Sequence, residues 1–421
     1  AGAGPCSAGQ GGGNAGQESQ AAKQRAPPPA RPSEPPPQLG PPRVVQRLPV
    51  CHSGQPVTSV AATDFETCVV TGGGDGTLQV FEWDGLAGEW VAGQRIACGA
   101  GAINALVSVP RANTLVAGCE DGSCRVLRLT DTQGETGAGV TVGSTGAPAG
   151  QHWPAPVSRH RAAHALYRLR TLKGHSGDVM CLAATSWLAS GSQDGSIRLW
   201  DLEQGDCTQV LSGHESWVMG LAVAHADGTD SEASGAPCYI LSCSGDKTAR
   251  LWVDSASTPG AGASAPPQFK MKGILRGHEQ TVLSAALIPV RGLAATGADD
   301  STVRLWSLTS LECVAALSDH AQPVCALRWH ARRQQLTTAS EDGQVLFWHL
   351  AEEGAVGADA GGHQHRAQLV GALPPPPPMP GGGGPLPPNA LQAFAQAISA
   401  MPGASYHLCC GLEDGSVAIV L

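Results

Sequence analysis

The feature that most constrains this chain is a turn that returns seven times. It reads "TGGGDGTLQVF" around Asp75, "AGCEDGSCRVL" around Asp121, "SGSQDGSIRLW" around Asp194, "SCSGDKTARLW" around Asp246, "TGADDSTVRLW" around Asp300, "TASEDGQVLFW" around Asp342 and "CGLEDGSVAIV" around Asp414. Six positions after each aspartate stands an apolar residue: Phe81, Leu127, Trp200, Trp252, Trp306, Trp348 and Val420. Each copy is two short runs rich in β-branched and apolar residues around an Asp-Gly-type turn, which is a hairpin signal. Upstream of most copies a histidine sits in a short turn before another apolar run, as in "GHSGDVMCLA" and "GHEQTVLSAA". Each unit thus supplies about four strands, and the regular return of the unit is an internal repeat.

A second regularity is independent of the turn. The position four before the aspartate is Thr71, Ser190, Ser242, Thr296 and Thr338 in the five units that carry His52, His175, His214, His278 and His320. It is Ala117 and Cys410 in the two units without a histidine. Histidine and hydroxyl come and go together, as expected of buried partners, because an orphaned polar group costs about 1–3 kcal/mol.

These residues, together with Gly174-His175 and Trp200-Asp201, resemble the WD40-repeat family, and the resemblance covers roughly residues 43 to 421. It implies an all-β fold, a seven-bladed WD40 β-propeller of four-stranded antiparallel blades. It also implies a hydrogen-bonded set in each blade: the turn aspartate, the histidine, the strand hydroxyl and the tryptophan indole N–H. Carried onto this chain, the structural sets are His52, Thr71 and Asp75; His175, Ser190, Asp194 and Trp200; His214, Ser242, Asp246 and Trp252; His278, Thr296, Asp300 and Trp306; and His320, Thr338, Asp342 and Trp348. A Ser, His and Asp constellation repeated in five units reads as scaffolding and not as a catalytic triad. In this family the N-terminal strand commonly completes the last blade. "RVVQRLPV", residues 43–50, is therefore expected to close the ring against the strand near 416–421, since the last unit ends at Leu421 with no sequence left for a fourth strand.

Composition locates what lies outside the repeats. Hydrophobic residues make up 42% of the 421, enough for a substantial core, while 55 glycines and 32 prolines point to long irregular segments. Residues 1–42 are expected to be a disordered Gly/Pro-rich tail, and 130–165, 254–268 and 351–388 disordered inserts within the propeller of 43–421. The run Pro374 to Pro378 suits polyproline II and an SH3, WW or profilin-type partner. His152, His160, His164, His363 and His365 lack a ligand spacing, so no metal or other cofactor is expected. The formal charge of −9 disfavours nucleic acid and anionic membranes as partners, and no apolar run approaches the roughly 18 residues that span a bilayer. Fourteen cysteines without a C-x-x-C pair read as reduced core thiols, which places the chain in the cytoplasm or nucleus.

If the blades are scaffold, binding belongs to the exposed turns. The family resemblance implies peptide contacts from the residues flanking the first-strand valine and from the residue before the turn aspartate. The first set is Pro56 and Thr58, Asp178 and Met180, Trp217 and Met219, Thr281 and Leu283, and Pro323 and Cys325; the second is Gly74, Glu120, Gln193, Gly245, Asp299, Glu341 and Glu413. Trp217 in "GHESWVMG" is the expected anchor, Met180 and Met219 an adaptable apolar floor, and Glu120, Asp299, Glu341 and Glu413 an acidic surround, with Asp178 and Gln193 among the expected contact positions. That pattern favours a basic peptide with an apolar anchor. The chain has no P-loop, zinc signature or G-x-S-x-G elbow, so the expected function is a noncatalytic interaction scaffold with no catalytic residues. Two alternatives are a substrate receptor of a ubiquitin ligase and an RNA-associated WD40 protein with a zinc finger lost upstream. The blades end in "WDLE", "WVDS", "WSLT" and "WHLA" and not in W-D-x-R, and no finger is present in the chain.

Overall fold

The computed structural model describes residues 44–48, 52–53, 55–63, 68–84, 86–99, 101–109, 112–131, 164–228, 237–255, 267–331, 334–341, 344–352, 365–373, 408–411 and 417–420. The expected tail, the interiors of the three inserts, Pro374 to Pro378, Asp342 and Glu413 lie outside these residues. Strand β1 is Val44–Leu48. The first sheet holds β2 (Val57–Ala62), β3 (Cys68–Gly73), β4 (Thr77–Asp84) and β5 (Glu89–Ala97); the second β6 (Ile103–Val109), β7 (Thr114–Cys119), β8 (Ser123–Asp131) and β9 (His164–Lys173). The third holds β10 (Val179–Ala184), β11 (Leu188–Ser192), β12 (Ile197–Trp200) and β13 (Cys207–Leu211); the fourth β14 (Val218–His225), β15 (Cys238–Ser244), β16 (Thr248–Asp254) and β17 (Phe269–Arg276). The fifth holds β18 (Val282–Ile288), β19 (Leu293–Ala298), β20 (Val303–Ser307) and β21 (Cys313–Leu317); the sixth β22 (Val324–His330), β23 (Gln335–Ser340), β24 (Val345–Glu352) and β25 (His365–Leu373). Within each of the six, sequential strands pair antiparallel, as short turns between apolar runs require.

The seventh sheet corrects the expected architecture. It has three strands in the order β1, β27 (Val417–Val420), β26 (Leu408–Gly411), so the described chain forms six four-stranded blades and one three-stranded sheet, not seven four-stranded blades. Strand β1 does pair antiparallel with β27, Val44 opposite Val420 and Leu48 opposite Val417. Among the described residues no sheet closes into a barrel: each is open, with two edges, and neighbouring sheets are joined by side chains instead of a continuous ladder.

Five apolar clusters lie between consecutive sheets, and they explain the sequence pattern. The second strands of the first, second, third and fifth sheets are buried along their length because both faces pack on neighbours, so they read as unbroken apolar or small runs. Trp200 fills the space between the third sheet and Val107, Val116 and Val126 of the second; Trp252, Trp306 and Trp348 repeat this one sheet further on. Glycine is needed where sheets approach most closely. A Cβ on Gly191 would sit 2.6 Å from both Cys181 Sγ and Val218 Cγ1, and one on Gly118 would sit 2.7 Å from Val179 Cγ1. These glycines lie three positions before their turn aspartates and let the next sheet's first-strand valine seat against bare backbone.

Candidate functional site

In the third sheet, Asp194 caps its own turn, accepting from the Ser196 amide at 2.9 Å and the Ser196 hydroxyl at 2.6 Å. It is also 2.9 Å from His175 Nδ1. A carboxylate only accepts, so Nδ1 carries the proton and Nε2 presents a lone pair. The Ser190 hydroxyl, 2.7 Å from Nε2, donates to it and accepts from Trp200 Nε1–H at 2.8 Å. Four residues from four places in the unit form one chain of hydrogen bonds. His214, Ser242, Asp246 and Trp252 reproduce it at 2.8, 2.8 and 3.0 Å, and His278, Thr296, Asp300 and Trp306 at 2.9, 2.7 and 2.7 Å. In the sixth sheet His320 and Trp348 meet Thr338 at 2.7 and 3.0 Å. The first sheet has His52 between Asp75 at 3.2 Å and Thr71 at 2.9 Å, with Phe81 in place of the indole and Arg95 bonded to Asp75 at 2.6 Å. The second sheet, which lacks the histidine, uses Arg125 on Asp121 at 2.8 Å and buries Ala117 and Leu127.

The electrostatics fit a fixed frame. Burial lowers the pKa of His52, His175, His214 and His278 against the opposing pull of their aspartates, keeping the rings neutral. Burial works against the charge on Asp194, yet the Ser196 hydroxyl and amide, His175 and the Ser176 amide outweigh it and bring the carboxyl to about 2. Buried thiols are held protonated, Cys68, Cys119 and Cys124 at about 12. Among the described residues no group of three His, Cys, Asp or Glu side chains is placed to hold a metal.

The turn ends of the six sheets share a second repeated geometry. In each, the residue before the turn aspartate donates its amide to the residue before the first strand: Gly74 to Pro56, Glu120 to Ala102, Gln193 to Asp178, Gly245 to Trp217, Asp299 to Thr281 and Glu341 to Pro323, at 2.9–3.1 Å. One residue into each first strand the register shifts, leaving Thr58, Asn104, Met180, Met219, Leu283 and Cys325 as bulged residues. A bulge re-aims its side chain, and here it does so beside the turn. Asp178, Met180 and Gln193 come together, with Gln193 Nε2 3.2 Å from Asp178 Oδ2 and 3.7 Å from Met180 Sδ. Glu120 stays exposed while accepting from the Ala102 amide at 2.9 Å. Burial and the neighbouring negative charge of Asp299 raise the Glu341 pKa. Trp217 is 51% exposed, and Met219 beyond Val218 is half-buried. Asn104, 4.0 Å from Met180 Sδ, belongs to this end too. The histidine signature could not find it because its unit has none; the bulge position one past Ile103 does.

The WD domain, G-beta repeat, matches residues 43–82, 166–201, 205–253, 269–307 and 311–349. The chain belongs to the WD40-repeat family. Relatives of this WD40 protein include the nuclear distribution protein PAC1-2 of Uncinocarpus reesii, 29% identical over 44% of this chain and 43% of the relative. Nuclear distribution protein nudF of Emericella nidulans is 27% identical over 47% of the chain and 45% of its own length, and the DENN domain and WD repeat-containing protein SCD1 of Arabidopsis thaliana 28% identical over 44% and 14%. The match thus spans less than half the length of these curated relatives. Among solved structures, the WD40 β-propeller domain of Doa1 is similar with a TM-score of 0.60 over 90% of this chain and 96% of that one, at 18% identity. That likeness concerns the fold alone, a propeller-like set of four-stranded antiparallel blades. WD40 blades of this kind are generally noncatalytic interaction scaffolds, and a protein-binding scaffold is the function the fold supports.

Proposed function

We propose that this WD40 scaffold receives a basic peptide with an apolar anchor at the turn ends of its blades. The observation that carries the reading is Trp217, an aromatic half open to solvent where the equivalent positions hold Asp178, Thr281 and Pro323. Exposed aromatics at such spots supply much of the energy of an interface. Met219, re-aimed by its bulge, stands two residues away, and methionine adapts to varied apolar partners. On the next two sheets burial and the neighbouring charge of Asp299 raise the pKa of Glu341, so the two carboxylates share one field. A lysine or arginine from a ligand relieves that repulsion. The relatives named nuclear distribution proteins are consistent with a scaffold that acts by assembling other proteins.

The test is a fluorescence anisotropy titration of the full chain with a labelled peptide alternating lysine and leucine. Trp217→Glu, and separately Asp299→Lys with Glu341→Lys, should weaken the peptide about tenfold or more while leaving the melting temperature within about 2 °C of wild type. Unchanged affinity in both folded variants would remove this end of the blades as the site.

A further inference from the structure

The outer rim of the second, third and fourth sheets carries a second surface with the opposite charge. Their last strands, β9, β13 and β17, read "HALYRLRTLK", "CTQVL" and "FKMKGILR" and contain six cations and no carboxylate, in a chain of net charge −9. Arg168, Arg170 and Lys173 lie on β9, and Lys270, Lys272 and Arg276 on β17. Among the described residues none of the six is in an ion pair, in contrast to Arg95, Arg125 and Arg250, which meet the turn aspartates. Arg168 and Lys272 donate to the main-chain carbonyls of Cys98 and Leu308, contacts that orient a cation without neutralising it.

Apolar side chains are interleaved with these charges. Tyr167, Leu169, Val210 and Met271 are each between 44% and 50% exposed, and they are half of the eight exposed large hydrophobic residues among the described ones. The three strands form one surface. Arg170 lies against Gly205 just before β13, close enough that a Cβ there would be 2.9 Å from its Nη1. Gln209 of β13 then clips to β17 with both ends of its amide, donating to the Phe269 carbonyl at 2.8 Å and accepting from the Phe269 amide at 2.9 Å. Isolated exposed hydrophobics need no explanation, but four on adjacent strands among unpaired cations do.

The geometry points to this rim as a docking surface for an acidic protein segment that carries apolar side chains. Charge complementarity selects the sign of the partner, and the half-exposed Tyr167, Leu169, Val210 and Met271 select a polypeptide, since a phosphodiester backbone offers them nothing to bury against. An extended anionic surface such as a membrane meets the net negative charge of the whole chain, whereas a short acidic segment senses only charges within a Debye length of about 8 Å. The rim is distinct from the turn ends, which favour a basic ligand, so one scaffold holds partners of opposite charge at two places.

The probe is a labelled peptide alternating glutamate and leucine, titrated into the full chain beside a thymidine oligonucleotide and vesicles of phosphatidylcholine with about one third phosphatidylserine. Two variants are compared with wild type: Lys173→Glu with Lys270→Glu and Arg276→Glu, all three exposed, and Tyr167→Ser with Leu169→Ser. The expected result is peptide binding that falls about tenfold or more in each variant, is unchanged by Trp217→Glu, and weakens as salt rises from about 50 to 200 mM. Equal affinity in both variants overturns the proposal. So does preferential binding of the oligonucleotide or vesicles that the charge variant abolishes and the apolar variant leaves intact. If a variant fails to fold, peptide binding by wild type that is insensitive to salt overturns it as well.

Discussion

Ser190 is the residue on which one blade's hydrogen bonds converge, donating to His175 and accepting from Trp200. Ser190→Ala leaves a buried indole N–H and a buried imidazole nitrogen without partners, and urea denaturation should show a loss of about 2–3 kcal/mol. The turns offer the opposite experiment. The position after the turn aspartate is left-handed, with Gly195 at φ 76°, and two units hold a side chain there, Lys247 at 66° and Ser301 at 63°. Lys247→Gly and Ser301→Gly relieve that strain and should each raise stability by about 0.5–1 kcal/mol in the same assay. Acid acts on the same sets. Histidines whose folded pKa is lowered by burial bind protons more readily when unfolded, so stability declines as pH falls below about 6.5 toward their folded values. Asp194, held at about 2, adds a second loss as pH falls from about 3.9 through that value. Melting temperatures from pH 8 down to about 3 should therefore fall monotonically and not pass through an acidic maximum. These sets were legible because one spacing ties aspartate, hydroxyl and indole together. Gly191 was not, since nothing along the chain says that the next sheet's Val218 comes within contact of it.

At the scale of elements, the hairpins follow from alternating apolar runs and Asp-Gly turns, and six units fold into four strands as their sequences indicate. The seventh sheet pairs β1 with β27 across almost the whole chain, as the family resemblance implied although no local pattern encodes it, but among the described residues it holds three strands and not the expected four. Deleting residues 1–48 exposes the edge of β27 along Val417–Val420. The expected outcome is a lower melting temperature and faster aggregation on heating, measured by light scattering, because an unpaired edge templates further strands. The bulges were also hidden. The sequence singled out Met180 and Met219 as flanks of a valine, but only pairing with β11 and β15 shows that each is the extra residue that turns toward the blade end.

For the whole molecule, repetition divides labour. Groups that recur in most units, the histidine and hydroxyl in five and the indole in four, are turned inward and hold the sheets, so they read as frame and not as catalytic chemistry. We place partner discrimination in what varies between units: Trp217 beside Met219, the Asp299 and Glu341 pair, and the basic rim of β9, β13 and β17. The most direct test of that division is hydrogen–deuterium exchange on the full chain with and without the lysine-leucine peptide. The expected result is slow exchange along the second strands of the six blades in both states, with new protection confined to the turn ends around 178–180, 217–219, 281–283 and 299. Protection arising along the outer strands or within the second strands instead would contradict the account, placing the ligand on the surfaces it assigns to another partner or to the frame.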